Sequence, residues 1–342
     1  MIGVVCLNPA LDVTHHVPAV DWSGVNRPEE VHARPGGKGL NVARTLHALG
    51  TEVLVMGLAG GTTGQAVTAA LAALAVPSAF TWVRGETRRT FTVVDRRTGQ
   101  AALFNEPGPR IAADGYAEFR DRYRSVLPGC AAVVLSGSLP PGVPAGSYAE
   151  LTAMAAGAGV PVLLDAHGEA LRLGAAAGPA IVKPNLAELE LFAGRPLSGP
   201  AGAGPAGTWP AEAGPACPDR RAVAAAAGEL RAAGPQAVVV SLGAAGLYAD
   251  TADGCWRAVP PAVVAGNATG AGDAAAAGLA QGLALGKPWA ERLRHAVALG
   301  TAAALAPVAG EFNPADYATV QAGVTVSRAE PGEAGTARAE AG

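Results

Sequence analysis

Six short runs rich in β-branched residues, "IGVVCL", "EVLVMGLAGG", "AAVVLSGS", "VPVLLDAHG", "AIVKPN" and "AVVVSLG", recur along the chain. Each ends in a glycine- or proline-marked turn and leads into a helix-forming stretch. A strand that is apolar along its whole length must be covered on both faces, and parallel neighbours need a long crossover between them. The alternation therefore predicts an α/β fold, a mostly parallel sheet flanked by helices. Helices are expected at Asn41–Leu49, Gln65–Leu74, Ser147–Ala158, Leu186–Phe192, Arg220–Ala233, Asp273–Leu285 and Trp289–Leu305, most of them helped by abundant alanine.

Two regions break the pattern. Residues 13–34 and 80–106 read as extended strands with polar alternation and no helix between them, which predicts a small separate sheet acting as a lid. Residues 198–216, "SGPAGAGPAGTWPAEAGPA", are low in complexity and read as a solvent-exposed insertion. One domain is expected over residues 1–325, followed by a disordered Ala/Glu/Gly-rich tail at 326–342.

Composition limits the partners. A formal net charge of −3 leaves no electrostatic footprint for nucleic acid, and no basic block points to a membrane surface. No apolar run reaches the roughly 20 residues of a membrane span, and "MIGVVCLNPALD" lacks the positive region of a signal peptide. Cys6, Cys130, Cys217 and Cys255 are far apart and form no C-x-x-C pair, so neither zinc nor a disulfide framework is signalled. A cytoplasmic protein with a small-molecule partner is expected.

Several motifs can carry chemistry, and each has a plain scaffolding alternative. In "PGGKGLNVAR", Gly37, Lys38 and Asn41 sit where a glycine turn enters a helix, a place open to anionic or polyhydroxyl ligands. Asp12 in "NPALD" follows the first strand, either as a turn cap or as a ligand group at the carboxyl end of a sheet. Asn185 and Glu188 in "KPNLAELE", just after Lys183, have the spacing of a capping box, while Glu188 can also serve Mg²⁺ through water. Ser241, Gly243 and Gly246 end a strand in an open turn, and Ser138 follows another in "SGSLPPG". In "NATGAGDAAAAG", Gly270, Ala271 and Gly272 precede Asp273 at a helix start, where a carboxylate is either a cap or a base beside an anion hole.

Taken in order, NPALD, GGKGLNVAR, SGSLPPG, DAHGEAL, KPNLAELE, SLGAAG and NATGAGD resemble the ribokinase-like PfkB carbohydrate kinase family, in its branch of 1-phosphofructokinases and tagatose-6-phosphate kinases. The resemblance implies ATP-dependent phosphorylation with Mg²⁺, on an α/β core whose small β-sheet lid often packs against a second subunit's lid, so a homodimer. It implies Asp273 as the base and the N–H groups of Ala271, Gly272 and Asp273 as the anion hole. Asp12, Gly37, Lys38 and Asn41 fall to the sugar, with Arg27, Arg88 and Ser138 near the phosphate it already carries. Lys183, Asn185, Ser241, Gly243, Gly246 and Gly270 fall to the nucleotide, and Glu188 to the metal's water shell. The implied acceptor is a phosphorylated ketohexose, with fructose 1-phosphate the leading reading. Tagatose 6-phosphate, fructose 6-phosphate, an unphosphorylated sugar or nucleoside, and a non-catalytic sensor are the alternatives. The branch often has Thr-Ser or Ala-Ser where this chain has Ala166-His167, which bears on the choice of sugar.

Overall fold

The computed structural model describes residues 1–198, 218–262, 269–306, 308 and 310–329. Its strands are β1 (Ile2–Cys6), β2 (Ala10–Val17), β3 (Glu30–Gly36), β4 (Val53–Ala59), β5 (Ser78–Trp82), β6 (Arg88–Asp95) and β7 (Ala101–Asn105), then β8 (Ala132–Ser136), β9 (Val162–Asp165), β10 (Ile181–Val182), β11 (Val238–Ser241), β12 (Leu247–Thr251), β13 (Gly254–Val259) and β14 (Thr325–Ala329). The helices are α1 (Lys38–Ala48), α2 (Gly61–Ala73), α3 (Ala113–Val126), α4 (Ser147–Gly157), α5 (Gly168–Ala176), α6 (Leu186–Ala193), α7 (Arg220–Ala232), α8 (Ala271–Ala284), α9 (Trp289–Leu305) and α10 (Pro314–Gly323).

Ten strands form one sheet in the order β14-β13-β12-β11-β10-β9-β8-β1-β4-β5. From β5 to β11 the neighbours run parallel, and β12 to β14 add an antiparallel edge. Because side chains alternate across a strand, Val5, Val133 and Leu135 point into one core while Val4 and Val134 point into the other. Helices α3 to α7 cover the first face; α1, α2, α8, α9 and α10 cover the second. The ribokinase-like α/β architecture expected from the sequence is thus present.

The sequence expectations omit α3, α5 and α10. Helix α3 is held by Tyr116, Phe119 and Tyr123, an i, i+3, i+7 row stacked ring on ring, which its many charges hide in a reading by composition. Helix α10 starts with Pro314 at its first turn and an Asn313 side chain that accepts from the Ala315 N–H.

The small sheet has the order β3-β2-β6-β7, with β2 and β6 parallel at its centre. Its extent corrects the expected 80–106 boundary: Phe80, Thr81 and Trp82 pair with β4 in the large sheet, and the lid begins at Arg88. Strand β2 leaves the large sheet directly after β1, and β6 leaves it shortly after β5. The tail boundary also moves. Val326–Ala329 pair with β13, and Arg328 lies over the Trp256 ring at 3.9 Å, so strand pairing and one cation–π contact order a stretch that composition assigns to the tail. Residues 330–342 and, within the expected insertion, 199–216 lie outside the described residues. Among those described, no helix is long and apolar enough to cross a membrane, and Cys6, Cys130 and Cys255 are unpaired.

Candidate active site

Two helix N-termini meet at the carboxyl end of the large sheet. Gly37, at φ 96°, turns the chain into α1, and Gly39 lets that helix approach β1 so closely that an added Cβ would lie 2.7 Å from Cβ of Cys6. Gly270, at φ 83°, caps α8 in the left-handed region. The first intrahelical bond of α8 runs from the Ala274 N–H to the Gly270 carbonyl, 2.9 Å. The N–H groups of Ala271, Gly272 and Asp273 therefore have no acceptor within the helix and gather positive potential at its start. Asn41, in the first turn of α1, donates from Nδ2 to Oδ2 of Asp273 at 2.8 Å.

Asp273 is buried, and its carboxyl is pushed up to about 7, first by desolvation and next by the field of Asp165. The Asn41 hydrogen bond and the charges of Lys38 and Lys183 oppose that rise. Asp165 ends β9 with no solvent exposure. Burial pushes its carboxyl up, yet Lys183 and Lys38, each with Nζ at 3.2 Å, together hold it below the ordinary range. Lys38 also reaches Oε1 of Glu188 at 3.0 Å. Burial pulls the Lys38 ammonium down, but Asp165, Glu188 and Asp273 outweigh it and raise it. Asp165 is the site residue that sequence reasoning misses. In "LLDAHG" attention falls on His167, which is instead exposed at the cap of α5 and lines the rim of a cleft between β6 and the turn after β8.

That cleft, about 700 Å³, is bordered by Asn8, Lys38, Arg88, Asn105, Ser138 and His167. Arg88 Nε donates to the Asn8 carbonyl at 3.1 Å, and Asn8 Nδ2 donates to Ser138 Oγ at 3.0 Å. Asp12 stands on the lid strand β2 and accepts from Thr90 Oγ1 on β6. Burial raises its carboxyl, with Thr90 and Arg88 opposing. An added Cβ at Gly36 would fall 1.8 Å from Oδ2 of Asp12, so glycine there gives this carboxylate its space. Arg27 lies in the exposed connection between β2 and β3 and borders neither this cleft nor the groove beside it.

The neighbouring groove, about 580 Å³, is walled by Asn185, Ser241, Gly243 and Gly246 and reaches Ala271 and Gly272. Gly246 has φ 85°, and a Cβ there would lie 2.1 Å from the Ala258 carbonyl oxygen, which leaves room for glycine alone. Asn185 and Glu188 form the capping box that their spacing allows: Asn185 Oδ1 accepts from the Glu188 N–H at 2.8 Å, and Glu188 Oε2 from the Asn185 N–H at 2.9 Å. Lys183 stands beneath the turn, with Nζ 3.7 Å from where a Cβ of Gly272 would be, and does not border the groove.

A glycine-walled groove thus reaches the N-terminus of α8 with its buried, ionisable carboxylate, and Lys38, whose charge acts on that carboxylate, borders the cleft that also bears Arg88. This is the arrangement of an enzyme that passes a phosphoryl group from a nucleotide to a hydroxyl. The chain belongs to the pfkB family of carbohydrate kinases, whose model matches residues 4–316. It resembles phosphofructokinase-2 from Escherichia coli in complex with fructose-6-phosphate at 30% identity, over 94% of this chain and 98% of that one, with a TM-score of 0.81. The tetrameric inhibited form of the same enzyme matches at 30% identity over 94% and 98% of the chains, TM-score 0.82. A Thermotoga maritima protein described as a possible 1-phosphofructokinase matches at 25% identity over 96% and 99%, TM-score 0.79. Family and neighbours together define an ATP-dependent sugar kinase.

Proposed function

We propose that the protein phosphorylates a ketohexose monophosphate, with fructose 1-phosphate as the acceptor and fructose 1,6-bisphosphate as the product. The carrying observation is that Lys38 borders the same cleft as Arg88 while its charge acts on Asp273 at the start of α8. A guanidinium fork matches phosphate oxygens, and Ser138 stands in the same wall as a further donor. The fructose-6-phosphate complex of the E. coli neighbour favours fructose 6-phosphate as the second reading.

In this reading ATP occupies the groove along Asn185, Ser241, Gly243 and Gly246, with its γ-phosphate toward Gly270 and the N–H groups of Ala271, Gly272 and Asp273. Asp12, Gly37, Lys38 and Asn41 orient the sugar. Asp273 takes the hydroxyl proton as the sugar oxygen bonds to phosphorus and the bond to the ADP oxygen breaks, and the helix N-terminus offsets the charge on the phosphoryl oxygens. Lys183 holds Asp165 beneath that turn. Mg²⁺ would neutralise charge on the nucleotide phosphates. Glu188 suits an outer contact with it through water: each of its oxygens already accepts one hydrogen bond and keeps a further lone pair. The exposed Val31, Leu103 and Phe104 on the lid support a homodimer through that sheet, which sedimentation at micromolar concentration would test. An ATP-consuming reaction and three unpaired cysteines fit the cytoplasm.

An ADP-release assay over fructose 1-phosphate, fructose 6-phosphate, tagatose 6-phosphate and fructose decides the acceptor. Turnover of fructose equal to that of its phosphates would remove the phosphate from the recognition. ADP release with none of them would leave another sugar or a nucleoside as acceptor, or a non-catalytic sensor.

A further inference from the structure

Glu311 follows α9 and lies outside every motif singled out in the sequence. Its Oε1 accepts from two arginines of different elements: Arg34 Nη1 on the lid strand β3, and Arg44 Nη2 on α1 at 2.8 Å. Arg44 is only 7% exposed. It stands three residues after Asn41, so both side chains share one face of α1. The backbone next to Glu311 seals that face: a Cβ at Gly310 would lie 3.0 Å from Oδ1 of Asn41 and 3.2 Å from Nη1 of Arg44. On the lid side, Arg34 is the cross-strand partner of Asp12. The positive charge of Arg44 also acts on Asp12, whose carboxyl it helps to hold down. A chain of alternating charge, Arg34, Glu311, Arg44, Asp12, thus runs from the lid to α1 and back to the lid.

We propose that Glu311 is a positioning residue for the sugar side of the site: one carboxylate latches β3 to α1 and holds Arg44 so that Asp12 stays available to a sugar hydroxyl. A buried guanidinium that loses a carboxylate turns to the nearest remaining one, because an uncompensated buried charge is costly. Besides Glu311, the carboxylate whose charge acts on Arg44 is Asp12, on the strand paired with that of Arg34, and an Asp12 drawn to Arg44 no longer accepts from the sugar. Loss of the Arg34 end frees the lid strand that carries Asp12's partner, with the same direction of effect. Neither change touches the groove assigned to ATP. The inference rests on the reading of Asp12 as an acceptor ligand.

The test compares Glu311→Gln, Arg34→Gln and the double variant with wild type, using whichever ketohexose phosphate wild type turns over. Glu311→Gln should raise the acceptor KM roughly tenfold, the scale of a charge-assisted hydrogen bond, with KM for ATP unchanged and kcat within about threefold. Arg34→Gln changes a half-buried side chain of similar length; it should keep the fold and raise the acceptor KM in the same direction by less. The double variant should be no worse than Glu311→Gln alone, since both act through one carboxylate. A wild-type acceptor KM in Arg34→Gln, additive effects, or equal rises in both KM values would overturn the proposal. Failure of wild type on every phosphorylated ketohexose is a separate result that strikes the proposed function itself.

Discussion

Asn41 Nδ2 and Asp273 Oδ2 lie 2.8 Å apart and join the first turns of α1 and α8. The two motifs strongest in the sequence, GGKGLNVAR and GAGD, are therefore one unit in space, and the amide occupies one carboxylate oxygen of the proposed base. A carboxylate that served only as a cap has no use for a buried partner on another helix. Asp273→Asn keeps the shape and removes proton acceptance, so kcat should fall by roughly 10²–10⁴. Wild-type turnover in the folded variant would end the assignment of Asp273 as base.

The pH dependence follows from the same carboxyl, pushed up to about 7. The base acts when ionised, so kcat/KM for the acceptor should rise with pH and reach half its plateau near 7. Asn41→Ala removes a hydrogen bond that favours the ionised form and should move this limb to higher pH. An acidic limb at the ordinary carboxylate range, near 4, would contradict the burial argument.

Stability should respond in the opposite sense. The folded state raises this carboxyl above its ordinary value of 3.8, so its contribution to stability is present below about 4 and is lost as pH rises through about 7. Asp273→Asn escapes that loss. Its melting temperature at pH 8 should equal or exceed that of wild type, with the excess shrinking as the pH is lowered toward 4. A variant markedly less stable than wild type at pH 8 would show that the charge is already fully compensated.

Lys183 and Asp165 form a buried pair at 3.2 Å. Lys183→Met leaves the buried Asp165 carboxylate with Lys38 alone and should destabilise the fold, by less than the roughly 3–5 kcal/mol of a fully unpaired buried charge, in chemical denaturation. It also removes a positive charge that lowers Asp273, so the acidic limb of the activity profile should move upward. A stable variant with an unmoved limb would separate the pair from the site.

On the sugar side, Arg88→Ala should raise the acceptor KM about ten- to a hundredfold and leave KM for ATP near wild type. Gly36→Ala should do the same by a steric route, because its Cβ would displace the Asp12 carboxylate. Matched losses in both KM values would point to a lid that no longer seats.

What the sequence makes legible here is local. A glycine turn into a helix and a capping box each declare themselves within a dozen residues, and Gly37 and Asn185 stand where those patterns put them; Asp12, read as the end of the first strand, lies instead within β2 of the small sheet, because the chain leaves the large sheet at once. Asp165 is silent because its role is made by distant lysines: Lys38 lies 127 residues away in the chain, and Lys183 arrives just past the next strand. Glu311 is silent for the same reason, its two arginines being 277 and 267 residues away. Arg27 shows the converse. It lies in an exposed connection while Arg88 borders the cleft, a difference that tertiary structure sets and residue type does not carry.

The way the small sheet is attached has a mechanical meaning. Both central strands, β2 and β6, grow straight out of core strands, and Ala10 pairs with Arg88 at that root, two residues before Asp12. In any swing about the root, displacement grows with distance from it. Asp12 and Arg88, the side chains proposed to hold the sugar, then travel least, while the far ends, near Val17 and Asp95, sweep the longest arc. Recognition sits at the fulcrum and enclosure at the end of the lever, so the depth of closure can change without resetting the grip on the sugar.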